Sequence, residues 1–313
     1  MPTPIFPISK QIDPRTVRTL CPAKINLALS VGAPRPDGMH PIASWMRPIT
    51  LADTLTLRRI EGPSRFDITF AGNAPVQQRV DWPVLSDLTY RAHLLMERHV
   101  GHALPVEATL EKRIPAGAGL GGGSADAAGM LLALSALFQL KLDTLALMDL
   151  ASQLGSDVMF QLQARHGLCG AIVTGVGEEI ELLLRGQPQT LLLVLPPFGC
   201  STPAVYRAFD QSLSHSETSS PDIDRVRQLT RIPLDTGTPL FNDLAEPACV
   251  VQPELRNVLE RLRGFRLAPH VTGSGSAVFC LIEDGYSPEG LRELLDEVAE
   301  ATGCATTLTE LLR

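Results

Sequence analysis

Residues 111–130 read EKRIPAGAGLGGGSADAAGM, and the fold and use of the whole chain turn on how that stretch is understood. Gly117, Gly119, Gly121, Gly122 and Gly123 fall within seven consecutive positions. A backbone so free of side chains can adopt positive φ and come close to a ligand. Its consecutive N–H groups can point into one concavity and bind an anion. Ser124 follows, at or near the N-cap of an apolar, Ala-rich run, AGMLLALSALF, that reads as a helix. A phosphate over such a loop meets free N–H groups together with the positive end of the helix dipole. The stretch predicts a phosphate cradle.

The kind of cradle is narrowed by its context. Gly117, Gly119 and Gly122 satisfy the dinucleotide pattern G-x-G-x-x-G, but Pro115 stands where a strand should run straight into the turn. The later segment KLDTLALMDL reads as a helix, not as a second strand ending in a ribose-binding acid. A Walker A loop needs a lysine before its Ser or Thr, and here Gly123 precedes Ser124. The catalytic-loop and metal-binding motifs of protein kinases are missing as well. A glycine turn that serves close packing alone would explain two glycines better than five.

Bulk properties bound the rest. At 313 residues the chain is long enough for two domains with separate cores, and 44% hydrophobic residues suit a globular protein. No apolar run approaches the roughly 20 residues of a spanning helix. A net charge of −7 disfavours nonspecific binding to nucleic acid or membrane surfaces, so an anionic substrate must be held by local donors. Cys21, Cys169, Cys200, Cys249, Cys280 and Cys304 are scattered singly and read as buried, reduced thiols. Neither Cys nor His recurs at zinc-ligand spacing. The first 20 residues fit neither a signal nor a transit peptide and are expected to be a flexible lead-in to a cytoplasmic protein.

Along the chain, CPAKINLALSV (21–31) alternates with a period of two. It predicts a half-buried strand with Ile25, Leu27, Leu29 and Val31 inward and Lys24, Asn26, Ala28 and Ser30 on the other face. RPDGMH (35–40) is a turn by its Pro-Asp-Gly content, and a lone His40 in it would ordinarily be a surface residue. Residues 49–60 and 104–113 alternate enough to be strands of one sheet. The segment 85–99 has Leu88, Ala92, Leu95 and Met96 at helical spacing, with its charged residues and histidines on a solvated face. Asp157, in a Gly-Ser-Asp turn, reads on its own as a helix N-cap. Residues 167–180 read as strand and turn, and 190–197 as a buried strand. A helix from 201 carries Val205, Tyr206 and Phe209 on its core face, 211–224 is a polar loop, and ELRNVLERLRG is a further helix. Thr272-Gly273-Ser274-Gly275-Ser276 is a glycine turn into a strand. Strands and helices without regular βαβ alternation predict an α+β fold.

Taken together, Pro22-Ala23-Lys24-x-Asn26, the loop Pro115-x-Gly117-x-Gly119-Leu120-Gly121-Gly122-Gly123-Ser124-x-Asp126-Ala127-Ala128, Gly155-Ser156-Asp157-Val158 and the Thr272–Ser276 turn resemble, in order and spacing, the motifs of the GHMP kinases. The resemblance covers about residues 22–280. It implies an N-terminal ribosomal-protein-S5-like domain over 1–180, carrying the ATP and substrate sites, and a ferredoxin-like C-terminal domain over 181–313. It implies phosphoryl transfer from ATP, with Mg²⁺, to the hydroxyl of a small molecule. Pro115, Gly117, Gly119, Leu120 and Gly121 to Ser124 would hold ATP, and Lys24 and Asp157 would be catalytic. Gly273, Ser274 and Gly275 would support the loop, and Ser124 is a candidate metal ligand. The Arg35-x-Asp37-Gly38-x-His40 element and Asn242-Asp243-Leu244 are similar to those of the branch that acts on CDP-methylerythritol. There Asn26, His40, Met39 and Tyr206 would line the acceptor site. That branch usually carries Tyr where this chain has Met39, and the Tyr ring packs on cytosine. A kinase for another alcohol, such as homoserine or a mevalonate derivative, and a non-catalytic ligand sensor on the same scaffold are the alternatives. The expected state is a monomer or weak homodimer, without nucleic-acid or membrane partners.

Overall fold

A computed structural model describes residues 9–164, 169–183, 186–212, 220–283 and 285–312. The described residues fall into two compact units, each drawn from separated stretches of chain. The first comprises Met1–Ala23, Leu51–Ile114 and Gly121–Leu168; the second comprises Lys24–Thr50, Pro115–Leu120 and Cys169–Arg313.

In the first unit, β1 (Ser9–Asp13) pairs antiparallel with the start of β2 (Thr16–Val31). Residues 9–20 are therefore a hairpin, strand on either side of a turn at 14–15, and not a flexible lead-in; residues 1–8 lie outside the described residues. The far half of β3 (Ile42–Arg59) and the strands β4 (Arg65–Phe70) and β5 (Val106–Lys112) continue the unit. β5 is antiparallel to β3 and parallel to β4. Alternation places Leu55 and Leu57 of β3 and Val106, Ala108 and Leu110 of β5 in the core.

The unit also holds the α-helices α1 (Leu88–Val100), α2 (Gly122–Leu137), α3 (Thr144–Ser152) and α4 (Ser156–Ala164). α1 starts at Asp87, whose carboxylate accepts from Thr89 N, and stops at Gly101, which has φ of +76°. α2 is apolar around nearly its whole circumference and is buried accordingly, with α1 and α4 packed against it. His93 is a correction to the solvated face expected for α1. It is buried, with Nε2 at 2.9 Å from Leu104 O and 3.3 Å from Ser64 Oγ, and its ring meets Phe66 edge-on.

The second unit takes the far half of β2 and the first half of β3. Its further elements are β6 (Gly170–Thr174), β7 (Glu179–Leu183), β8 (Thr190–Leu195), α5 (Thr202–Ser212), α6 (Ile223–Leu229), β9 (Phe241–Asn242) and α7 (Ala245–Val251). α8 (Pro253–Gly264), β10 (His270–Val271), β11 (Val278–Leu281), α9 (Pro288–Thr302) and β12 (Ala305–Glu310) close the chain. β6 pairs with β3 and β7, and β9 runs parallel to β2 at Ala28 and Leu29.

The other sheet of this unit is antiparallel in the order β10-β11-β8-β12. With helices between β8 and β10 and between β11 and β12, this is the βαββαβ arrangement of ferredoxin-like folds. Its core joins Leu192, Val194, Val278 and Cys280 to Val205, Phe209, Leu255, Leu262 and Val298. Of the expected polar loop 211–224, the ends belong to α5 and α6, and 213–219 lie outside the described residues.

The α+β expectation is met. The half-buried character of 21–31 is not, because every residue from Cys21 to Val31 is buried, Lys24, Asn26 and Ser30 included. All six cysteines are buried and outside any disulfide, and burial lifts the thiols of Cys200 to about 11 and Cys280 to about 12, which suits inert packing groups. Among the described residues no helix is long and apolar enough to cross a membrane.

Candidate active site

In the second unit, four stretches far apart in the chain meet around Lys24. The Lys24 side chain is only 4% exposed, and its Nζ donates to Asn26 Oδ1 at 2.7 Å. Its main-chain N–H donates to Leu120 O at 2.9 Å, which ties β2 to the glycine stretch. Asn26 N donates to Thr272 Oγ1 at 3.0 Å, and Asn26 Nδ2 donates to Ser44 Oγ at 2.8 Å; that hydroxyl in turn donates to Ala28 O at 2.8 Å. The amide of Asn26 is thereby oriented, with its oxygen toward the ammonium and its NH₂ toward Ser44. Burial without such partners would be costly, and here hydrogen bonds offset it.

The turn 272–276 packs directly on residues 118–120. Ala277 N donates to Ala118 O at 3.1 Å. A Cβ on Gly119, whose φ is +77°, would lie 2.3 Å from Thr272 O and 3.1 Å from Gly275 O. A Cβ on Gly273 would lie 3.0 Å from Gly119 O and 3.5 Å from Lys24 Nζ. Only glycine permits this approach. Ser274 Oγ shares a hydrogen bond of 2.8 Å with Thr202 Oγ1. Asn242 holds the turn from behind, donating to Val271 O and Gly273 O at 2.8 Å each and accepting from Leu244 N at 2.9 Å. Asp243 accepts from Val31 N at 2.9 Å and Ser30 Oγ at 3.0 Å. The sequence therefore brings together Lys24, Asn26, Gly119, Leu120, Gly273, Ser274 and Gly275. It missed the partners that hold them, Ser44, Thr202 and the turn-bracing role of Asn242. A polar residue inside the apolar run Ile42–Met46, as Ser44 is, was the available signal.

The turn 35–40 forms as expected, with Gly38 N on Arg35 O and Met39 N on Asp37 Oδ1. His40 is not a surface residue. Its Nε2 lies 2.7 Å from Asp210 Oδ1, and its ring packs on Tyr206 at 4.8 Å between centroids and edge-on to Phe209 at 6.1 Å. An ionised carboxylate only accepts, so Nε2 carries a proton and donates to Asp210. Met39, beside it, is 51% exposed. Asp210 went unnoticed because it stands 170 residues away from its partner.

In the first unit the helix begins earlier than Ser124 suggested. Gly121, with φ of +68°, is the N-cap of α2, and Gly122, Gly123 and Ser124 form its first turn; no side chain caps it. Gly117, Gly119 and Gly121 are left-handed while Ala118 and Leu120 between them are not, the alternation that turns successive N–H groups to one side. At Gly117 a Cβ would find nothing within 4 Å. Asp157 is not an N-cap either: it is the second residue of α4, inside its first turn, where the helix dipole favours a carboxylate. Among the described residues no group of three or more His, Cys, Asp and Glu side chains could hold a metal ion.

Residues 87–165 match the model of the GHMP kinases N terminal domain. The chain is 37% identical over 265 residues to the 4-diphosphocytidyl-2-C-methyl-D-erythritol kinase of Thermus thermophilus, covering 84% of this chain and 87% of that one. It is 36% identical over 289 residues to the same-named protein of Moorella thermoacetica, covering 91% and 96%. A crystal structure of 4-(cytidine 5'-diphospho)-2C-methyl-D-erythritol kinase superposes with a TM-score of 0.73 at 35% identity, over 95% of this chain and 99% of that one. Homoserine kinase from Cytophaga hutchinsonii superposes with a TM-score of 0.64 at 14% identity over 96% of each chain, a likeness of fold.

Proposed function

This chain belongs to the 4-diphosphocytidyl-2-C-methyl-D-erythritol kinases of the GHMP family, and we propose that it transfers the γ-phosphoryl group of ATP to the 2-hydroxyl of CDP-methylerythritol in the non-mevalonate route to isoprenoids. The observation that carries this reading is the coupling of Lys24 to Asn26, to Leu120 of the glycine stretch and, through Asn26, to the 272–276 turn. Phosphoryl transfer of this kind rests on positioning and charge stabilisation, because a loose transition state asks little of a base. Main-chain N–H groups from Gly119 to Ser124 hold the β- and γ-phosphates in this proposal, and Pro115 and Gly117 shape their approach. Lys24 neutralises charge on the transferring group, Asn26 hydrogen-bonds the acceptor, and Asp157 accepts or orients the proton of its hydroxyl. The His40–Tyr206 pair, with Met39 at its margin, receives the cytosine. Mg²⁺, held by ATP oxygens and the Ser124 hydroxyl, would supply further charge neutralisation.

We also propose 1–180 and 181–313 as the family's two domains, a division along the chain and not by spatial contact. A cytoplasmic location and a monomeric or weakly dimeric state complete the proposal.

ADP release measured with a panel of acceptors tests the substrate. Turnover of CDP-methylerythritol and not of homoserine or mevalonate is expected, and the reverse would refute the assignment. Asp157→Ala should cut turnover by at least ~10²-fold with ATP binding kept. Near-normal turnover would remove Asp157 from the mechanism.

A further inference from the structure

The glycine stretch is flanked by a buried ionic cluster that the mechanism above leaves unused. In β5 the inward places go to Val106, Ala108 and Leu110, and the next inward place goes to Lys112. Its ammonium is thus carried into the core of the first unit, 2.6 Å from Asp53 Oδ2 on β3 and 2.5 Å from Asp126 Oδ2 in the second turn of α2. The other oxygen of Asp53 accepts from the main-chain N–H of Arg113 and, at 2.8 Å, from that of Ile114. The Ile114 side chain in turn fills the space where Gly122 would carry a Cβ, 2.9 Å from its Cγ2. Residues 112–114, just ahead of the loop, and residues 122–126, just behind it, are pinned to one another and to β3.

Stability alone is a poor account of such a cluster. Removing ions from water costs several kcal/mol each in practice, and replacing a buried ionic group by apolar residues is often neutral or stabilising. Two carboxylates share one ammonium here, and Asp126 Oδ1 is buried with no partner among the described residues. Burial drives the Asp126 carboxyl well above the usual range, Lys112 opposes that rise and Asp53 adds to it. What the cluster supplies in return is geometry. An ammonium between two fixed acceptors sets the spacing between the end of β5 and the first turns of α2, and hence where the α2 N–H groups point.

We propose that Lys112, gripped by Asp53 and Asp126, is a positioning residue for ATP: it fixes both flanks of the phosphate-binding loop so that the donors of α2 are aimed before the nucleotide arrives. This rests on the reading that residues 117–124 hold the phosphates. Pre-organised donors act on nucleotide affinity and on transfer, and leave acceptor binding alone.

Two variants at one position test it. Asp126→Leu cuts the link from Lys112 to α2 and keeps the Lys112–Asp53 pair, while Asp126→Asn keeps an oxygen for Lys112 to bond. The expected result is a KM for ATP raised about tenfold or more by Asp126→Leu and about threefold by Asp126→Asn, with the KM for the acceptor within about twofold of wild type. Calorimetric titration with ADP should weaken in the same order. Folded variants with an unchanged KM for ATP, or with both KM values raised alike, would overturn the proposal, since a purely structural role moves stability and not that ratio. Should Asp126→Leu fail to fold, Asp126→Asn decides alone, an ATP KM within about 1.5-fold of wild type being the refuting result. Wild-type protein that bound no adenine nucleotide would instead remove the reading of the loop, and this proposal with it.

Discussion

Gly117 and Gly119 offer a controlled comparison, because they share a backbone conformation and differ in what surrounds them. Their φ values are +72° and +77°, so alanine at either carries the same left-handed strain, about 1–2 kcal/mol. At 117 nothing lies within 4 Å of the new methyl, and the strain is the whole cost. At 119 the methyl would sit 2.3 Å from Thr272 O, with Gly275 O and N at 3.1 and 3.2 Å to prevent a sideways escape. Carbon–oxygen contacts settle at about 3.3–3.6 Å, so the backbone must move by about 1 Å. Two hydrogen bonds stand in the way of that shift: Ala277 N to Ala118 O at 3.1 Å and Lys24 N to Leu120 O at 2.9 Å. At about 1 kcal/mol net apiece, their loss brings Gly119→Ala to roughly 3–4 kcal/mol against roughly 1–2 for Gly117→Ala. Urea unfolding followed by circular dichroism reads the difference as a lower midpoint at unchanged slope. Equal midpoints for the two variants would refute the close packing of 119 on the 272–276 turn. Kinetics should separate them the other way. Gly117→Ala, with its methyl in open space beside the donors, should raise the KM for ATP while remaining well folded.

Two more outcomes follow from the second unit. His270 is pushed down to about 4, first by burial and then by Arg263, so it is neutral when folded and ready to take a proton when unfolded. A depressed folded value means the stability it allows is full above its ordinary value of about 6.5 and is lost as pH falls toward 4, by up to about 3 kcal/mol. His270→Gln should therefore gain on wild type in melting temperature between pH 7 and pH 4, and a constant gap between the two would exclude His270 as an acid-labile group. Asn242→Asp keeps the oxygen that Leu244 N uses but sets an acceptor against the carbonyls of Val271 and Gly273. A cost of about 2–3 kcal/mol is expected for the two orphaned carbonyls, read as a urea midpoint, and a change under about 0.5 kcal/mol would mean the turn does not depend on that side chain.

What could be seen in the sequence was whatever announces itself locally. Five glycines before an apolar run, a Pro-Asp-Gly turn and the alternation of β5 each carry their own signature, and each formed. Ser124 misled because a left-handed glycine can cap a helix with no side-chain bond, so α2 could start at Gly122 without a marker. The unreadable part was partnership at a distance. Asn26 depends on Thr272, 246 residues away, and His40 on Asp210, and no period or cap encodes either. Burial was misjudged for the same reason. The sequence puts Lys24 and Asn26 on the less apolar face of a half-buried strand and His93 on a solvated helix face, whereas hydrogen bonds from other segments let the core keep all three. There is a rule in this error. A charged or amide side chain at a buried strand position breaks the pattern that specifies the fold, and such breaks persist where something else is gained. Lys24 and Asn26 break it in β2, Asp53 in β3 and Lys112 in β5. The first pair lies against the glycine stretch through Leu120, and the second flanks the same stretch through Arg113 and Ile114. These four violations of the hydrophobic pattern therefore point to the loop at 117–124 without reference to any motif, whereas Arg47, buried in β3, donates to Leu312 O and serves a different contact.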